Sequence, residues 1–333
     1  MPASDANPTP RVSVIIPSYK TADLIAACLD SVFAQTYSNF EAIVVNDGSP
    51  DTPELEKVLQ PYISREKDRL VYIKQENKRA AAARNNAIRQ ARGEFVAFLD
   101  SDDSWYPNHL AAQMKLIDDD PSLDLVYANA LLVNGPGGDP AKEKPFMEEC
   151  PSQGPATFEA LIVERCQIPI STVVARRKSL MDAGLFDEKL ARCDDYDMWV
   201  RTAFAGAKIG YGRGVQARLF IGRPGSLSVS RARMAEAYWC ILEKFQHTLP
   251  LEASGRAVVE KRAAEIHARY LLEEGKCKLE ERQFDKAREL IAEANGFLHS
   301  SALSLAVVGL GIAPSATTRL MSFWSWIRNG ATA

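Results

Sequence analysis

The chain has 333 residues, of which 46% are hydrophobic, and a formal net charge of −3. This length allows one large domain and a smaller one, and so weak a charge gives no reason to expect nucleic acid as a partner. Six cysteines without a Cys-x-x-Cys pair and four dispersed histidines predict reduced thiols rather than a disulfide framework or a zinc site. The cysteine pattern therefore favours a cytoplasmic protein. The first residues are polar and proline-rich, so we expect no secretory signal.

The first half of the sequence alternates short apolar runs with segments of helical period. In chain order these segments are residues 12–16, 24–35, 40–45, 69–74, 79–91 and 94–99. Strands separated by helices of this length predict βαβ units and a parallel, doubly wound sheet, so the predicted fold class is α/β. Pro17, Asp47 and Asp100 each follow a predicted strand, at the edge where open α/β sheets bind ligands.

An acidic motif, FLDSDDSW at residues 98–105, places Asp100, Asp102 and Asp103 within four positions. Carboxylates this close repel each other unless a cation lies among them. A hard cation, Mg²⁺ or Mn²⁺, would relieve the repulsion and keep coordination positions for phosphate oxygens. A solvated acidic loop before the next helix is the alternative, and the position of the motif after a buried strand favours the metal site.

The second half contains a predicted strand at residues 171–175 and a predicted helix at residues 194–205, which begins with Asp194 or Asp195. Beyond Arg231 the sequence changes to long, charged amphipathic helices. We therefore predict four regions: a flexible N-terminus at 1–10, the α/β domain at 11–230, a helical region at 231–299 and an apolar tail at 300–333.

The helical region and the tail carry two further signals. One copy of a tetratricopeptide-like spacing, from Gly275 to Ala294, predicts a local helix pair, because a solenoid needs about three copies. The apolar segment 302–313 is shorter than the about 20 residues that cross a bilayer. No acidic residue follows Ser301, and aromatic residues lie near the last arginines, which suits an interfacial helix on an anionic membrane. Packing of this tail on the helical region is the alternative.

Five segments follow one another in the order and with the spacing of a known enzyme family. They are VSVIIPSYK, CLDSVFAQTYSNFEAIVVNDGSPD, ENKRAAAARNNAIRQARGEFVAFLDSDDSWYPNHL, IPISTVVARRKSLMDAGLFDE and RCDDYDMWVR. Over roughly its first 230 residues the chain closely resembles the inverting family 2 glycosyltransferases. The absence of a Gln-x-x-Arg-Trp sequence favours a non-processive member.

The resemblance implies a glycosyltransferase-A fold, which is a Rossmann-like nucleotide-diphospho-sugar transferase domain, here followed by a helical region. It also implies a nucleotide-diphosphate sugar as the sugar donor, and we expect a UDP-sugar first. The acceptor would be a hydroxyl of a glycan or of a lipid-linked molecule, as in cell-surface polysaccharide synthesis.

Residues of the nucleotide site are assigned by the resemblance. Pro17 and Tyr19 would lie beside the nucleobase, and Asp47 would bind the base or the ribose. Many relatives have a second aspartate where this chain has Asn46, so no role is assigned to that residue. Arg84 resembles the family arginine that lines the nucleotide site; an ordinary exposed helix residue is the alternative.

The resemblance also assigns the diphosphate and metal contacts. Asp100 and Asp102 correspond to the ribose and metal ligands, and Asp103 could share either task. The family arginine that meets the diphosphate aligns with an isoleucine in this chain. Arg223 is the expected substitute, and Arg218 is the other candidate.

Sugar transfer with inversion needs a carboxylate that takes the proton of the acceptor hydroxyl. Asp195 matches the family position of this base, and Asp194 and Asp197 are the other candidates. Without the family, Asp195 reads as a helix N-cap. Trp105 and Trp199 each follow an acidic motif, and together with Asp194 they are predicted to contact the acceptor; packing at the domain rim is the alternative for Trp105.

Three other functions remain to be compared with this one. A sugar-phosphate nucleotidyltransferase would need a glycine-rich loop after the first strand, and PSYKTADL has no glycine. A dehydrogenase is disfavoured because no Gly-x-Gly-x-x-Gly follows a strand. A catalytically degenerate scaffold that recruits partners to a membrane is disfavoured by the intact carboxylates.

Overall fold

The computed structural model describes residues 9–134, 143–222 and 230–318. The chain divides into two compact units, residues 1–226 and residues 227–333. Arg223 and the segment after Thr318 lie outside the described residues, so the roles predicted for them stay predictions.

The first unit contains the alternating strands and helices of an α/β domain. In chain order these are β1 (Val12–Ser18), α1 (Ile25–Phe33), β2 (Phe40–Asp47), α2 (Thr52–Arg65), β3 (Leu70–Gln75), α3 (Arg79–Gln90), β4 (Phe95–Phe98), β5 (Ser104–Trp105), α4 (His109–Asp119), β6 (Leu125–Val133), β7 (Lys144–Pro145), α5 (Phe146–Glu149), α6 (Phe158–Ile162), β8 (Val174–Arg176), α7 (Arg177–Asp182), α8 (Asp194–Phe204) and β9 (Ile209–Phe220). The predicted α/β class is confirmed.

The described strands form one nine-stranded sheet in the order β3-β2-β1-β4-β8-β6-β9-β5, with β7 paired to β6. Strands β3, β2, β1 and β4 are parallel, as predicted, whereas β8 runs antiparallel to β4 and to β6. The chain proceeds from β1 to β2 and β3 and then returns to the other side of β1 with β4. The carboxyl ends of β1 and β4 therefore form a topological switch point, where ligands bind in open sheets.

Strands β1, β2 and β4 of the parallel half are buried on both faces, as expected of strands covered by helices, whereas the edge strand β3 is mostly half-buried. All eight residues of β2 and six of the seven residues of β1 are buried. Helix α1 packs with one apolar stripe, formed by Ile25, Cys28, Leu29 and Val32. Strand β1 continues through Pro17 to Ser18, beyond its predicted end, because proline keeps an extended φ of about −65° and removes a single hydrogen-bond donor.

The strand predicted at residues 171–175 is wrong in its first half. Residues Ile170–Thr172 form a 3₁₀ turn, and strand β8 begins only at Val174. The turn is closed by the backbone N–H of Thr172, which donates to the carbonyl of Pro169 at 3.0 Å. A turn replaces the strand here because its middle serine is hydrogen-bonded to the acidic motif, as described below.

The second unit is helical in its described residues and contains α9 (Arg231–Thr248), α10 (Ala253–Glu280), α11 (Phe284–Leu298) and α12 (Ser301–Ile312). Helices α10 and α11 approach closely, since a Cβ on Gly275 would lie 2.9 Å from Cγ1 of Ile291. This pair corresponds to the tetratricopeptide-like hairpin in the sequence. Among the described residues, no helix is both long enough and apolar enough to cross a membrane.

Candidate active site

The loops that follow β1, β2 and β4 are joined at the carboxyl edge of the sheet. The hydroxyl of Thr21 lies 2.9 Å from the hydroxyls of Ser18 and Ser101. The backbone N–H of Lys20 donates to Oγ of Ser49 at 2.7 Å. These short hydrogen bonds between segments far apart in the sequence make the switch point one connected surface.

Asp47 is the last residue of β2 and is 2% exposed. Its Oδ1 accepts hydrogen bonds from Nε2 of Gln75 and from the backbone N–H of Lys78, both at 2.8 Å. Gly48 follows with φ +62°, and a Cβ at this position would lie 2.5 Å from the backbone nitrogen of Asn77. Glycine is therefore required for the close approach that fixes Asp47 at the sheet edge.

Asn46 stabilises the turn after β2 and is 1% exposed. Its Nδ2 donates to the hydroxyls of Thr52 and Tyr72 at 2.8 and 3.0 Å. Its Oδ1 accepts from the backbone N–H of Ser49 at 2.9 Å. An aspartate could not donate to the two hydroxyls. The amide at this position is thus explained by the turn that it holds.

Pro17 and Tyr19 flank the same edge. Pro17 pairs with Val45 in the β1–β2 ladder, and Tyr19 is 44% exposed in the loop that follows. The ammonium of Lys20 lies 5.3 Å from the Tyr19 ring centroid. Tyr19 is therefore an accessible aromatic ring beside the switch point, and its predicted contact with a nucleobase stays a prediction.

The acidic turn after β4 is held by one serine. The backbone N–H of Asp100 donates to Oγ of Ser171 at 3.1 Å, and the Ser171 hydroxyl donates to Oδ2 of Asp103 at 2.5 Å. The backbone N–H of Phe220, the last residue of β9, donates to Oδ1 of Asp103 at 2.9 Å. Burial raises the pKa of Asp103 well above its ordinary range, and the neighbouring charges of Asp100 and Asp102 raise it further. Asp103 thus links the acidic turn to β9.

The remaining carboxylates of the turn, Asp100 and Asp102, are partly exposed. The described residues contain no group of three or more histidine, cysteine or acidic side chains that could hold a metal ion. Two aspartates supply hard oxygen ligands, which fit a Mg²⁺ or Mn²⁺ ion that keeps phosphate oxygens and waters. They do not fit a closed metal site made by the protein alone.

Arg84, on α3, joins the acidic turn to the start of α8. Its Nη2 donates to Oδ1 of Asp100 and its Nη1 to Oδ2 of Asp194, both at 2.7 Å. The residue is 5% exposed, and its guanidinium lies 5.6 Å from the Phe186 ring centroid. Arg84 is therefore not an exposed helix residue. Its ion pair with Asp194 was not predicted from the sequence.

Asp195 lies in the first turn of α8, beside this ion pair. Burial raises the pKa of Asp195 to about 6, the charge of Asp194 raises it as well, and the charge of Arg84 lowers it. Its Oδ1 accepts from the backbone N–H of Tyr196 at 2.8 Å. The N-cap position of α8 is taken by Cys193, so the helix-cap explanation of Asp195 is wrong. A carboxylate with this pKa is suited to accept a proton near neutral pH.

Asp197, the third aspartate of the segment, has a structural role. Its side chain is 0% exposed and is paired with Arg201, one turn later, at 2.7 Å. Arg201 Nη2 also donates to the carbonyl of Leu185 at 2.6 Å. Because both groups are occupied in holding α8 to the preceding loop, Asp197 is a poor candidate for the base.

The structure corrects the acceptor contact predicted for Trp199. The residue is 2% exposed, and its ring packs edge-on against Phe98 and Phe186 with centroid distances of 5.9 and 6.0 Å. The sequence pattern of an aromatic residue after an acidic motif did not indicate the side of the helix. Trp199 lies on the core side of α8 and stabilises the packing of this helix on β4.

The acceptor contact predicted for Trp105 is corrected for the same reason, since this residue is 5% exposed. Its Nε1 donates to the carbonyl of Ser171 at 2.6 Å, and its ring stacks on His109 with a centroid distance of 4.2 Å. Burial lowers the pKa of His109 to about 3, so this imidazole is neutral. Packing, the alternative considered for Trp105, accounts for its position.

Ser171 is the site residue that the sequence analysis missed. It contacts Asp100, Asp103 and Trp105 through its hydroxyl and its carbonyl. The one signal in the sequence was the serine that interrupts the apolar segment IPISTVVA.

Of the arginines considered for the diphosphate, Arg218 is paired with Glu143 at 2.7 Å.

The chain is similar in sequence to a family of glycosyltransferases. The family model for glycosyl transferase family 2 matches residues 13–170. The UDP-Glc:α-D-GlcNAc-diphosphoundecaprenol β-1,3-glucosyltransferase WfgD of Escherichia coli is 33% identical over 189 residues, which cover 57% of this chain and 68% of that protein. An uncharacterized glycosyltransferase of Rickettsia typhi is 31% identical over 197 residues. That match covers 58% of each chain, so this chain spans less than two thirds of that relative.

Solved structures support the fold over nearly the whole chain. A mannosyltransferase from Pyrobaculum calidifontis, solved with GDP-Man and Mn²⁺, superposes with a TM-score of 0.63 at 21% identity and covers 99% of this chain and 88% of its own. TarS of S. aureus, residues 1–349 with UDP-GlcNAc, has a TM-score of 0.60 at 21% identity, with coverages of 96% and 92%. The predicted glycosyltransferase-A fold is confirmed. The chain belongs to the family 2 glycosyltransferases.

Proposed function

We propose that the protein is a metal-dependent, inverting glycosyltransferase that moves a sugar from a nucleoside-diphosphate donor to an acceptor hydroxyl. The observation that carries this proposal is the Arg84 bridge between Asp100 and Asp194. The bridge connects Asp100, a predicted cation ligand, with Asp194, the neighbour of the predicted base, which supports one common site. Family membership and the switch-point position support the same reaction.

The nucleotide would be held by the loops after β1 and β2. Tyr19 offers an exposed ring for stacking on the base, with Pro17 beside it. Asp47, held at the sheet edge by Lys78, would accept a hydrogen bond from the base or the ribose. Asp100 would contact the ribose and share a Mg²⁺ or Mn²⁺ ion with Asp102. Such a cation, when bound, offsets the negative charge that develops on the leaving diphosphate. Arg223 is the candidate for a further diphosphate contact.

Asp195 would act as the general base. Its ionised carboxylate takes the proton of the acceptor hydroxyl while the acceptor oxygen bonds to the anomeric carbon. The bond between that carbon and the diphosphate oxygen breaks on the opposite face, so the configuration inverts. With a pKa of about 6, Asp195 is mostly ionised at neutral pH and still basic enough to accept a proton.

A UDP-sugar is the proposed donor, and a glycan or a lipid-linked molecule is the proposed acceptor. The E. coli relative is named for UDP-Glc and a diphosphoundecaprenol acceptor, and TarS was solved with UDP-GlcNAc. The archaeal structure contains GDP-Man instead, so the nucleotide needs a direct test. We place the reaction in the cytoplasm on the pattern of unpaired cysteines.

The first experiment is thermal stabilisation of the full chain by UDP, GDP, CDP and dTDP, each with and without Mn²⁺. A ligand that binds the native state raises its melting temperature by mass action. We expect UDP to stabilise only with Mn²⁺, and Asp102→Ala to abolish the effect. Asp119→Ala, which removes an exposed carboxylate of α4, is the matched control and should respond like the wild type.

If no nucleotide stabilises a folded sample, the scaffold function would replace the proposed one. Stabilisation without metal would contradict the metal requirement alone. Once a donor is known, the anomeric configuration of the product, read by NMR coupling constants, tests inversion. A retained configuration would contradict the role of Asp195 as the general base.

A further inference from the structure

Three side-chain amides follow one another behind Asp47, at the end of β2. Gln75 is the last residue of β3 and lies opposite Asp47 in the β2–β3 ladder. Its Nε2 donates to Oδ1 of Asp47 at 2.8 Å, and its Oε1 accepts from Nδ2 of Asn86 at 2.7 Å. Oδ1 of Asn86 in turn accepts from Nε2 of Gln90 at 2.8 Å. We call Gln75, Asn86 and Gln90 the amide network.

The direction of these hydrogen bonds follows from the carboxylate at one end of the network. A carboxylate oxygen can only accept, so Gln75 must turn its NH₂ group toward Asp47. The side-chain carbonyl of Gln75 then needs a donor, which is the NH₂ group of Asn86. By the same rule the NH₂ group of Gln90 faces Asn86. Asn86 therefore determines which end of the Gln75 amide faces Asp47.

The amide network adds little to the fold itself. Among the described residues, the side-chain hydrogen bonds of its three members run only to one another and to Asp47. Strands β2 and β3 are already joined by their backbone ladder. Gln75 and Asn86 are half-buried and Gln90 is exposed, so water could satisfy these amides if the network were absent. What the network fixes is therefore the side chain of Asp47.

One oxygen of Asp47 is left for a ligand. The hydrogen bonds from Gln75 and from the backbone N–H of Lys78 both end on Oδ1. Within residues 9–134, 143–222 and 230–318 no hydrogen bond ends on Oδ2, although Asp47 is 2% exposed. The described side-chain atoms that are both enclosed and unpaired belong to other residues, so Oδ2 reaches the surface. Asp47 thus presents one acceptor oxygen at the carboxyl edge of the sheet.

We propose that Gln75 and Asn86 are positioning residues that hold Asp47 in place for its contact with the nucleoside part of the donor. This inference rests on the proposed function, in which Asp47 accepts a hydrogen bond from the base or the ribose. Gln75 restrains Oδ1 of Asp47, and Asn86 restrains the amide of Gln75, so less side-chain freedom is lost when the nucleotide binds. Restraint of this kind increases the affinity for the donor and leaves the chemical step unchanged.

The test is the affinity of the full chain for UDP in the presence of Mn²⁺, measured by isothermal titration. The nucleotide found by thermal stabilisation replaces UDP if it is a different one. Gln75→Met keeps the length of the side chain and removes its polar groups, and we expect the Kd to rise about tenfold, as for the loss of one hydrogen bond to a carboxylate. The effect should decrease along the amide network, to about threefold in Asn86→Ala and less than about twofold in Gln90→Ala.

Two further readouts separate positioning from a general loss of structure. In an Asp47→Ala background the amide network has no carboxylate to orient, so adding Gln75→Met should change the Kd by less than about twofold. With the sugar donor, Gln75→Met should raise KM and leave kcat within about twofold. Tyr62→Phe is the matched control, because it removes a hydroxyl that contacts Asp30 and Ala26 at 2.7 and 3.1 Å and should leave the Kd unchanged.

The outcomes distinguish this inference from the proposed function. A wild type that binds none of the four nucleotides would overturn both. A wild type that binds UDP, with an unchanged Kd in Gln75→Met, would overturn the inference alone. The inference would also be wrong if Tyr62→Phe raised the Kd as much as Gln75→Met, or if Gln75→Met had its full effect in the Asp47→Ala background. Asn86→Ala, which changes a half-buried helix residue, carries the same test if Gln75→Met does not fold.

Discussion

Two clusters of three aspartates face each other across the site, and they divide their tasks in the same way. The acidic turn contributes Asp100, Asp102 and Asp103, and the start of α8 contributes Asp194, Asp195 and Asp197. In each cluster one carboxylate is buried and holds the backbone in place. It is Asp103 in the acidic turn and Asp197 in α8. In each cluster a second carboxylate, Asp100 or Asp194, is paired with Arg84. The third, Asp102 or Asp195, is assigned to the chemistry, which Asp100 would share through the cation.

The clusters differ in how the buried carboxylate is satisfied. Asp197 has a cationic partner, Arg201, at 2.7 Å, whereas Asp103 has a hydroxyl and a backbone N–H. Among residues 9–134, 143–222 and 230–318 no ion pair is found for Asp103, and burial and the charges of Asp100 and Asp102 raise its pKa. The comparison shows that neighbouring aspartates acquire different functions from their partners and from their burial, not from their order in a motif.

The largest expected effect tests the assignment of Asp195. Replacing Asp195 with asparagine keeps the shape of the side chain and removes the proton acceptor. We expect kcat to fall by about 10²–10⁴-fold, the usual contribution of a general base, while the KM for the sugar donor changes little. Steady-state kinetics with the donor found by thermal stabilisation measures both constants.

The control for this variant is Asp197→Asn in the same helix. We expect it to lower the melting temperature because Arg201 loses its ion pair, and to affect kcat far less. If Asp197→Asn removed activity from a folded enzyme while Asp195→Asn did not, the roles within this cluster would have to be exchanged.

Breaking the Arg84 bridge should have the second-largest effect. Replacing Arg84 with lysine keeps the charge, but one ammonium cannot hold two carboxylates in the fixed geometry of a guanidinium. We expect a loss of about 2–4 kcal/mol in the free energy of unfolding, below the usual range for a fully buried pair because Asp100 is 33% exposed. We also expect a lower kcat, since both clusters lose their common anchor.

Chemical denaturation and steady-state kinetics measure these two effects of Arg84→Lys. Arg89→Lys on the same helix is the matched control, because its distance to Glu188 is 3.9 Å and both side chains are largely exposed. Equal stability of the two variants would show that the bridge contributes nothing to the fold.

Asp103 offers a smaller effect that separates structure from metal binding. Asp103→Ala leaves the Phe220 N–H and the Ser171 hydroxyl without their acceptor, so we expect a loss of about 1–3 kcal/mol in stability. Asp103→Asn keeps an oxygen for Phe220 and should lose less. Isothermal titration with Mn²⁺ in the presence of nucleotide should show metal binding in Asp103→Asn, whereas its disappearance there would make Asp103 a ligand.

Much of the fold and of the site edge could be predicted from local sequence patterns. The alternation of strands and helices predicted β1 to β4 and placed Asp47 and Asp100 at the carboxyl edge. These inferences depend on neighbours in the sequence, and burial of the parallel strands follows from their apolar runs.

The division of tasks among the aspartates could not be predicted, because it depends on distant partners. The contacts of Asp103 with Ser171 and with Phe220 join residues 68 and 117 positions apart. The same holds for the 3₁₀ turn that replaced a predicted strand and for Trp199, whose burial depends on Phe98 and Phe186. No pattern within one motif contains this information.

The smallest expected effect is a shift of the pH profile, and it tests whether the two aspartates that begin α8 act on each other. In the wild type, kcat/KM should fall as the pH drops through about 6, because protonated Asp195 cannot accept a proton. The same raised pKa means that ionising Asp195 costs stability, a cost absent below about pH 4 and complete above about pH 6.

Asp194→Asn removes the neighbouring charge that raises the pKa of Asp195 and leaves Arg84, which lowers it, without its second carboxylate. Both changes favour the ionised form of Asp195, so the acid limb of kcat/KM should move to lower pH. Asp118→Asn on α4, which removes an exposed pair with Arg11, is the control and should leave the limb in place. A limb that moves in both variants would reflect net charge, and a limb that moves in neither would mean that Asp195 does not limit the reaction at acid pH.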